Sequence, residues 1–269
     1  MSLISRKARL WLLLLLTAAV AAACFFLPRI PQPLSYHLFA DRRSFLGIPN
    51  FGDVVSNLPF AAIGIWGLVF LRQCKSNPAT GHFLEEREQW PYIAVFAGLL
   101  LTAFGSSWYH LNPNNGTLVW DRLPMTITFM GLVAAVIMER ISLALGLRLL
   151  PILVLLGIAS VLQWNWSEMH GMGDLRFYAA VQAYSTLVVL LALLFPPRYT
   201  QGRYLGFVVC FYALAKVLEL FDKPIFATLR VVSGHTLKHL AAAAAGYSIL
   251  RMLQLRQPVQ EPRLVPQPK

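Results

Sequence analysis

Eight apolar runs, separated by short polar segments, constrain the fold of this chain more than any other feature. In chain order they are Leu10–Leu27, Val54–Leu71, Tyr92–Tyr109, Leu118–Met138, Leu145–Leu162, Tyr178–Phe195, Tyr204–Leu220 and His235–Leu250. A helix of about 20 apolar residues crosses the hydrocarbon core of a bilayer, which is about 30 Å thick. Because the connections leave no room for a soluble domain, the sequence predicts an all-α, polytopic membrane helical bundle.

The composition agrees with a membrane protein. Of 269 residues, 57% are hydrophobic and 13% are charged, whereas soluble domains carry about 25% charged residues. We expect an N-terminal hydrophobic segment over 1–28, a membrane domain over 29–252 and a disordered, basic, Pro-rich tail over 253–269. The first run follows a basic stretch and ends near Cys24, so a cleaved signal peptide is the alternative to a retained helix or signal anchor. Its length favours the retained helix.

The net charge of +11 suggests nucleic-acid binding in a soluble protein. Here the Lys and Arg residues sort by loop instead. With a cytoplasmic N-terminus and eight spans, 14 of them fall in cytoplasmic segments and 7 in outer segments, as the positive-inside rule requires. We therefore expect both termini in the cytoplasm and no nucleic-acid partner, and nothing in the sequence identifies a protein partner.

Polar residues at the ends of three runs are the candidate functional residues. Ser106 and His110 are four apart at the end of the third run, and His235 and His239 are four apart at the start of the last. Asp121 follows His110 by eleven residues, across the turn-forming stretch "LNPNNGT". Residues four apart share one helix face, and the predicted topology puts all five at one depth near the outer face.

Three neutral imidazoles with an oxygen ligand or a water are typical of a catalytic zinc site. Each residue alone also has a structural interpretation. Ser106 could bond a carbonyl of its own helix, Asp121 could favour a helix N-terminus, and a histidine could simply end a helix. Their joint placement at one depth favours the metal site.

Four stretches together resemble the alkaline ceramidase family, part of a superfamily of seven-helix intramembrane metal hydrolases that includes the adiponectin-receptor-like proteins. They are "SNLPFAAIG" (56–64), "SSWYH" (106–110), "DRLPM" (121–125) and "SGHTLKH" (233–239). The resemblance covers about residues 41 to 252. It implies a seven-helix core formed by runs two to eight, with the first run as an additional N-terminal helix.

The resemblance also implies a function and the roles of individual residues. His110, His235 and His239 would bind Zn²⁺, Asp121 would hold and deprotonate the attacking water, and Ser106 would donate a hydrogen bond to the oxyanion. The substrate would be a lipid amide drawn from the bilayer, ceramide or a related sphingolipid, which is cleaved to a sphingoid base and a fatty acid.

A calcium site before the second run is a further implication of the resemblance. The stretch "ADRRSFLGIPNFGDVVSNL" offers Asp41, Asn50 and Asp53, together with Arg42 and Arg43. Two carboxylates and one amide are few for a shell of 6–8 oxygens. The alternative is a turn in which Asp53 caps the second span.

Other functions stay open at the level of sequence. The same metal site could hydrolyse another lipid amide or an ester. A carboxylate–histidine group inside a bundle also suits a non-enzymatic receptor or transporter that binds metal or moves protons.

Two further groups of polar residues have structural interpretations. Lys216 and Glu219 are three apart and predict an ion pair inside the bundle. Trp164 and Trp166, in the predicted outer loop, suggest an aromatic belt at the membrane interface.

Overall fold

The computed structural model describes residues 4–76 and 81–259, and these residues form an all-α helical bundle without β-strands. Its helices are α1 (Arg6–Phe26), α2 (Phe51–Val55), α3 (Leu58–Ser76), α4 (Trp90–Leu111), α5 (Asn115–Arg140), α6 (Leu143–Met169), α7 (Arg176–Leu193), α8 (Arg203–Leu220), α9 (Asp222–Leu229) and α10 (Gly234–Leu255). Two short 3₁₀ turns, Leu34–His37 and Glu86–Gln89, precede α2 and α4.

The chain is a multi-pass membrane protein. In the described residues, six helices are long and apolar enough to cross a bilayer, or seven if α8 and α9, which meet at a bend of 76°, count as one span. The helix α10 is not among them, because His235, Lys238 and His239 lower its hydropathy. Its 22 residues nevertheless extend about 33 Å. It packs against α8 and α3 and completes a seven-helix core, to which α1 is added beside α7.

The predicted runs lie largely within helices, but two boundaries differ in an informative way. The second run is broken between α2 and α3. The fifth run continues as α6 to Met169, so the predicted loop is partly helical. Trp164 is fully buried there, while Trp166 is 51% exposed. The prediction of an aromatic belt is therefore wrong for Trp164, which packs against Arg122 from α5.

The segment predicted as a disordered tail is partly ordered. Residues 253–255 belong to α10, and Arg256 is fully buried, with its guanidinium bonded to Glu139. The chain then pairs at Pro258 with Tyr199. Residues 253–259 are thus not a disordered tail, and the rest of that segment, 260–269, lies outside the described residues, as do residues 1–3 of the N-terminal segment.

Small residues allow the helices that carry the candidate site to approach closely. Gly105 of α4 lies against the backbone of Trp120, and a Cβ there would collide with that carbonyl. The neighbours of these two residues in the sequence are Ser106 and Asp121. Gly234, at the start of α10, leaves equally little space beside the carbonyl of Leu218. Small residues at helix contacts are common in membrane bundles because they let backbones approach.

Candidate metal centre and lipid cavity

Three histidines converge at one end of the bundle, as predicted. His110 lies in the last turn of α4, and His235 and His239 lie in the first two turns of α10. Their ring centroids are 4.9 Å (His110–His235), 5.0 Å (His110–His239) and 4.9 Å (His235–His239) apart. One ring nitrogen of each lies within 4.8 Å of the others, and all three side chains are buried. These residues, the histidine cluster, have the positions that a shared metal ion needs.

Unpaired nitrogen atoms indicate that the cluster fits a cation. Both ring nitrogens of His110 and Nε2 of His235 are buried without a hydrogen-bond partner. Buried polar atoms are normally hydrogen-bonded, and leaving one unpaired costs about 1–3 kcal/mol. A shared metal ion would satisfy one nitrogen of each ring, and neutral imidazole is the ligand that such ions take from histidine.

A hydrogen-bond chain from α2 fixes the tautomer of His239. Ser56 Oγ donates to the carbonyl of Asp53 at 3.0 Å, so its single proton is used there. The same oxygen lies 2.8 Å from Nδ1 of His239, and with its proton directed to Asp53 it accepts from a protonated Nδ1. The lone pair of His239 then lies on Nε2, which is left for a ligand. Such an outer contact is typical of histidine ligands to metals.

The start of α10 is held by three side chains, which fixes both of its histidines. Ser233 is the N-cap and accepts from the backbone N–H of Thr236 at 2.9 Å. Asp222 accepts from the backbone N–H of His235 at 2.8 Å. Asp53 accepts from the Thr236 hydroxyl at 2.7 Å. The motif "SGHT" thus begins the helix by ordinary capping, and two carboxylates from elsewhere in the chain fix its direction.

The turn between α4 and α5 brings Asp121 to the same end. Asn114 caps α5 through a capping box with Thr117, which confirms the predicted tight turn. Asn50 donates from Nδ2 to the carbonyl of His110 at 2.8 Å and so ties the end of α4 to the turn before α2. The ring of Phe39 covers His110 and His235, with centroid separations of 4.7 and 4.6 Å. Sequence reasoning missed Phe39, because an aromatic residue in a loop carries no metal-binding signal.

A cavity of about 300 Å³ extends from the cluster into the bundle. Its polar end includes Ser106, Asp121, Arg122, Lys238 and His239. Ser106 and Asp121 thus face one cavity from two neighbouring helices. Most of the remaining wall is apolar and comes from Phe60, Leu99, Met125, Phe129, Leu132, Val189, Val208, Val209, Ala242 and Ile249. An apolar cavity with a few polar groups at one end is the usual form of a ligand site.

Glu219 forms ion pairs with both lysines of the cavity. It accepts from Lys238 at 2.6 Å and is also bonded to Lys216, which confirms the predicted Lys216–Glu219 pair. The predicted location inside the bundle is wrong for Lys216, whose side chain is 53% exposed. Tyr36, from the loop before α2, donates to the same carboxylate at 3.2 Å. Burial and this carboxylate both raise the pKa of the Tyr36 hydroxyl, so Tyr36 stays a neutral donor. Lys238 is therefore held in place by an acid and is not free to act as a base.

The three residues of the predicted calcium site have protein partners. Asp41 is bonded through both oxygens to Arg43, at 2.8 and 2.7 Å, and these bonds lower the pKa of its carboxyl. Asn50 bonds His110, and Asp53 bonds Thr236. Asp53 lies inside α2, whose N-cap is Asn50, so the alternative in which Asp53 caps the span is wrong. Calcium binding itself stays a prediction.

Comparison with known proteins gives no family assignment. No protein-family model matches the chain, and no curated protein matches it. The resemblance to alkaline ceramidases therefore rests on the four motifs and on their order.

Proposed function

We propose that this protein is an intramembrane, zinc-dependent amide hydrolase that cleaves the N-acyl bond of a lipid amide, with ceramide or a related sphingolipid as the substrate class. One observation carries the proposal. Three buried imidazoles meet, with unpaired nitrogens on His110 and His235, and the third, His239, lines a largely apolar cavity together with Asp121 and Ser106.

The donor set supports zinc as the metal. Imidazole suits zinc, copper, iron and nickel, and three histidines with one open position form a known type of catalytic zinc site. Zinc, when bound, polarises a carbonyl and lowers the pKa of water to about 7. His110, His235 and His239 would hold it, with Ser56 orienting His239.

The remaining chemistry belongs to two side chains of the cavity. Asp121 would orient the attacking water, accept its proton and pass that proton to the departing amine. Ser106, one turn before His110 on α4, would donate a hydrogen bond to the oxygen on which negative charge develops. The ring of Phe39 limits the access of bulk water to the histidines.

The apolar cavity supports a lipid as the substrate. An acyl chain would occupy the apolar part while the amide lies at the polar end. The sphingolipid class comes from the motif resemblance, with a sphingoid base and a fatty acid as products. The distribution of Lys and Arg favours cytoplasmic termini and a reaction near the outer face of the membrane.

The test combines metal analysis with hydrolysis by the purified full-length protein. We expect about one zinc per chain and release of labelled fatty acid from a ceramide. A parallel panel with an N-acylethanolamine and a fatty-acid ester identifies the bond that is cleaved. Removal of zinc by a chelator should abolish fatty-acid release, and added zinc should restore it. A protein that retains no zinc and hydrolyses none of these lipids would contradict the proposal.

One substitution separates the enzyme from a transporter or receptor. His235→Ala should abolish zinc retention and lower turnover to the level of a protein-free control. The matched control is His170→Ala, because His170 is exposed and bonds only a carbonyl of its own helix. A protein that uses the cluster only for ion movement would show no hydrolysis in the wild type and partial transport in His235→Ala.

A further inference from the structure

The residue after Asp121 carries a buried guanidinium in an unusual setting. Arg122 is only 4% exposed. It stacks over the rings of Trp164, Tyr178 and Tyr36, with its Cζ 4.2, 4.7 and 5.6 Å from their centroids. Nη2 donates to Gln32 Oε1 at 2.6 Å. The aromatic rings and one neutral amide thus hold the group in place.

Arg122 forms no ion pair within 4.0 Å in the part of the chain that the structure describes, where each such pair joins other residues. Nη1 of Arg122 has no hydrogen-bond partner, and the carboxylate of Asp121 interacts with the guanidinium through its charge without a direct bond. Arg256 is a useful contrast, because it is also buried among three aromatic rings but is bonded to Glu139. Taking a charge out of water is costly unless an opposite charge and hydrogen bonds compensate. Arg122 therefore lacks the acidic partner that Arg256 has.

Arg122 lines the same cavity as Asp121 and His239. The other cations of the cavity, Lys216 and Lys238, are both bonded to Glu219. Among the cations of the cavity wall, Arg122 is thus the one that forms no ion pair and keeps an unpaired donor.

We infer that Arg122 binds an anionic oxygen group, a carboxylate or a phosphate, of the lipid in the cavity, and so determines which lipids the site prefers. The guanidinium is the side chain best suited to planar recognition of these groups. This inference rests on the proposed function for the identity of the reaction, but the binding itself requires no turnover. The anion has two sources: the fatty acid that hydrolysis releases, or an acidic head group on the substrate.

The test is direct binding to the full-length protein in detergent, with four lipids that share one acyl chain. Oleate represents the product. N-oleoylglycine and an N-oleoyl ceramide 1-phosphate represent amides with an acidic head group, and N-oleoylethanolamine is the neutral reference. Affinities are compared for wild type, Arg122→Gln and Arg122→Lys. Arg203→Gln is the matched control, since Arg203 is exposed and the change in net charge is the same.

Arg122→Gln should weaken the binding of anionic lipids by about 10- to 100-fold and leave N-oleoylethanolamine unchanged. Arg122→Lys keeps the charge but lacks the planar guanidinium, so its affinity for anionic lipids should lie between those of wild type and Arg122→Gln. If Arg122→Gln does not fold, the comparison of Arg122→Lys with wild type tests the inference. A loss confined to oleate assigns the site to the product, and a loss confined to the acidic amides assigns it to the head group. Both outcomes support the inference.

An equal change for neutral and anionic lipids, or no change, would overturn the inference and leave Arg122 as a stacking residue. Failure of the proposed function is distinguishable from this result. If Arg122→Gln loses the preference for anionic lipids but the wild type hydrolyses none of the lipids, the anion site stands and the proposed hydrolase function fails. If the wild type hydrolyses lipids and substitution of Arg122 changes neither binding nor turnover, the hydrolase function stands and the anion site fails.

Discussion

Two buried polar groups at opposite ends of α4 and α5 differ in how their charges are satisfied. The histidine cluster and Asp121 lie at one end. The arginine cluster, formed by Arg256, Glu139, Tyr92, Tyr199 and Glu88, lies at the other. Tyr92 lies in the first turn of α4 and His110 in its last turn, and 18 residues of helix separate them by about 27 Å.

In the arginine cluster, charged residues pair with one another. Arg256 is bonded to Glu139, which also accepts from Tyr92 at 2.6 Å. Glu88 accepts from Tyr199 and, at 2.9 Å, from Arg198. In the histidine cluster, by contrast, no acid pairs with the rings, ring nitrogens lack partners, and His239 lines a cavity. The first arrangement holds the C-terminal segment on the bundle, although Nη2 of Arg256 is also unpaired, whereas the second could hold a metal ion.

The largest predicted effect is on turnover, and it should distinguish a substitution at one end of α5 from a substitution at the other. Asp121→Asn should lower turnover by about 10²–10⁴-fold while zinc content is unchanged, because the amide cannot accept the proton. Glu139→Gln is the matched control and should leave turnover per folded protein unchanged while lowering the melting temperature. Steady-state hydrolysis, elemental analysis and thermal melting measure the three quantities. Normal turnover of Asp121→Asn would remove Asp121 from the reaction.

Arg256 gives the complementary prediction for stability. Arg256→Met leaves Glu139 as a buried, unpaired charge and should lower the free energy of unfolding by about 3–5 kcal/mol. Zinc content and turnover per folded protein should not change.

The double variant Arg256→Met with Glu139→Leu tests the cause of this loss. It removes both charges and should recover most of the stability, because an apolar pair of similar volume is often neutral. Denaturation in mixed micelles measures the free energy of unfolding of wild type, Arg256→Met and the double variant. A double variant that is less stable than either single variant would mean that packing against Phe83 and Tyr199 dominates over charge.

The positions of the histidines could be predicted because they depend on two simple rules. Helical spacing places His235 and His239 on one face, and the alternating direction of the spans brings them to the level of His110. The turn between α4 and α5 was equally predictable from its composition, and this turn places Asp121 at the same end of the bundle as His110.

Contacts between distant segments could not be predicted in the same way. Phe39 and Ser56 come from the region around α2, and their residue types carry no chemical signal for a metal site. Trp164 was predicted to lie in a loop, because the sequence around it gives no signal for where the helix ends. Its burial against Arg122 depends on the packing of α6 on α5. The order of Arg256 likewise depends on Glu139, a residue more than a hundred positions away.

A smaller effect should follow from loss of the contact that orients His239. Ser56→Ala removes the acceptor for Nδ1 and should weaken zinc binding by about 10- to 100-fold, with turnover restored at saturating zinc. Competition with a chromophoric chelator measures the affinity. Ser248→Ala is the matched control, since Ser248 is a buried serine of α10 that bonds only its own helix. Equal zinc affinities for the two variants would mean that packing alone orients His239.

The smallest effect concerns an ion pair at the surface of the histidine end. Arg43 is 57% exposed at its side chain, so water screens its bond to Asp41, which should contribute little to stability. Arg43→Gln should lose that contribution at neutral pH. The pKa of Asp41 is lowered in the folded protein, so the stability from the pair is present above the unfolded-state pKa of about 3.9. It is lost as pH falls through the folded-state value.

The difference in melting temperature between wild type and Arg43→Gln should therefore narrow below pH 4. A constant part should remain at all pH values, because Arg43 also donates to the carbonyls of Arg230 and Val231. Arg42→Gln is the control, because it makes the same change in net charge. Arg42 bonds only the carbonyl of Phe39, so the difference in melting temperature between wild type and Arg42→Gln should not depend on pH. If both variants showed the same pH dependence, net charge and not the Asp41 pair would be responsible. The half-exposed pair would then contribute nothing measurable, in contrast to the buried pair of Arg256 and Glu139.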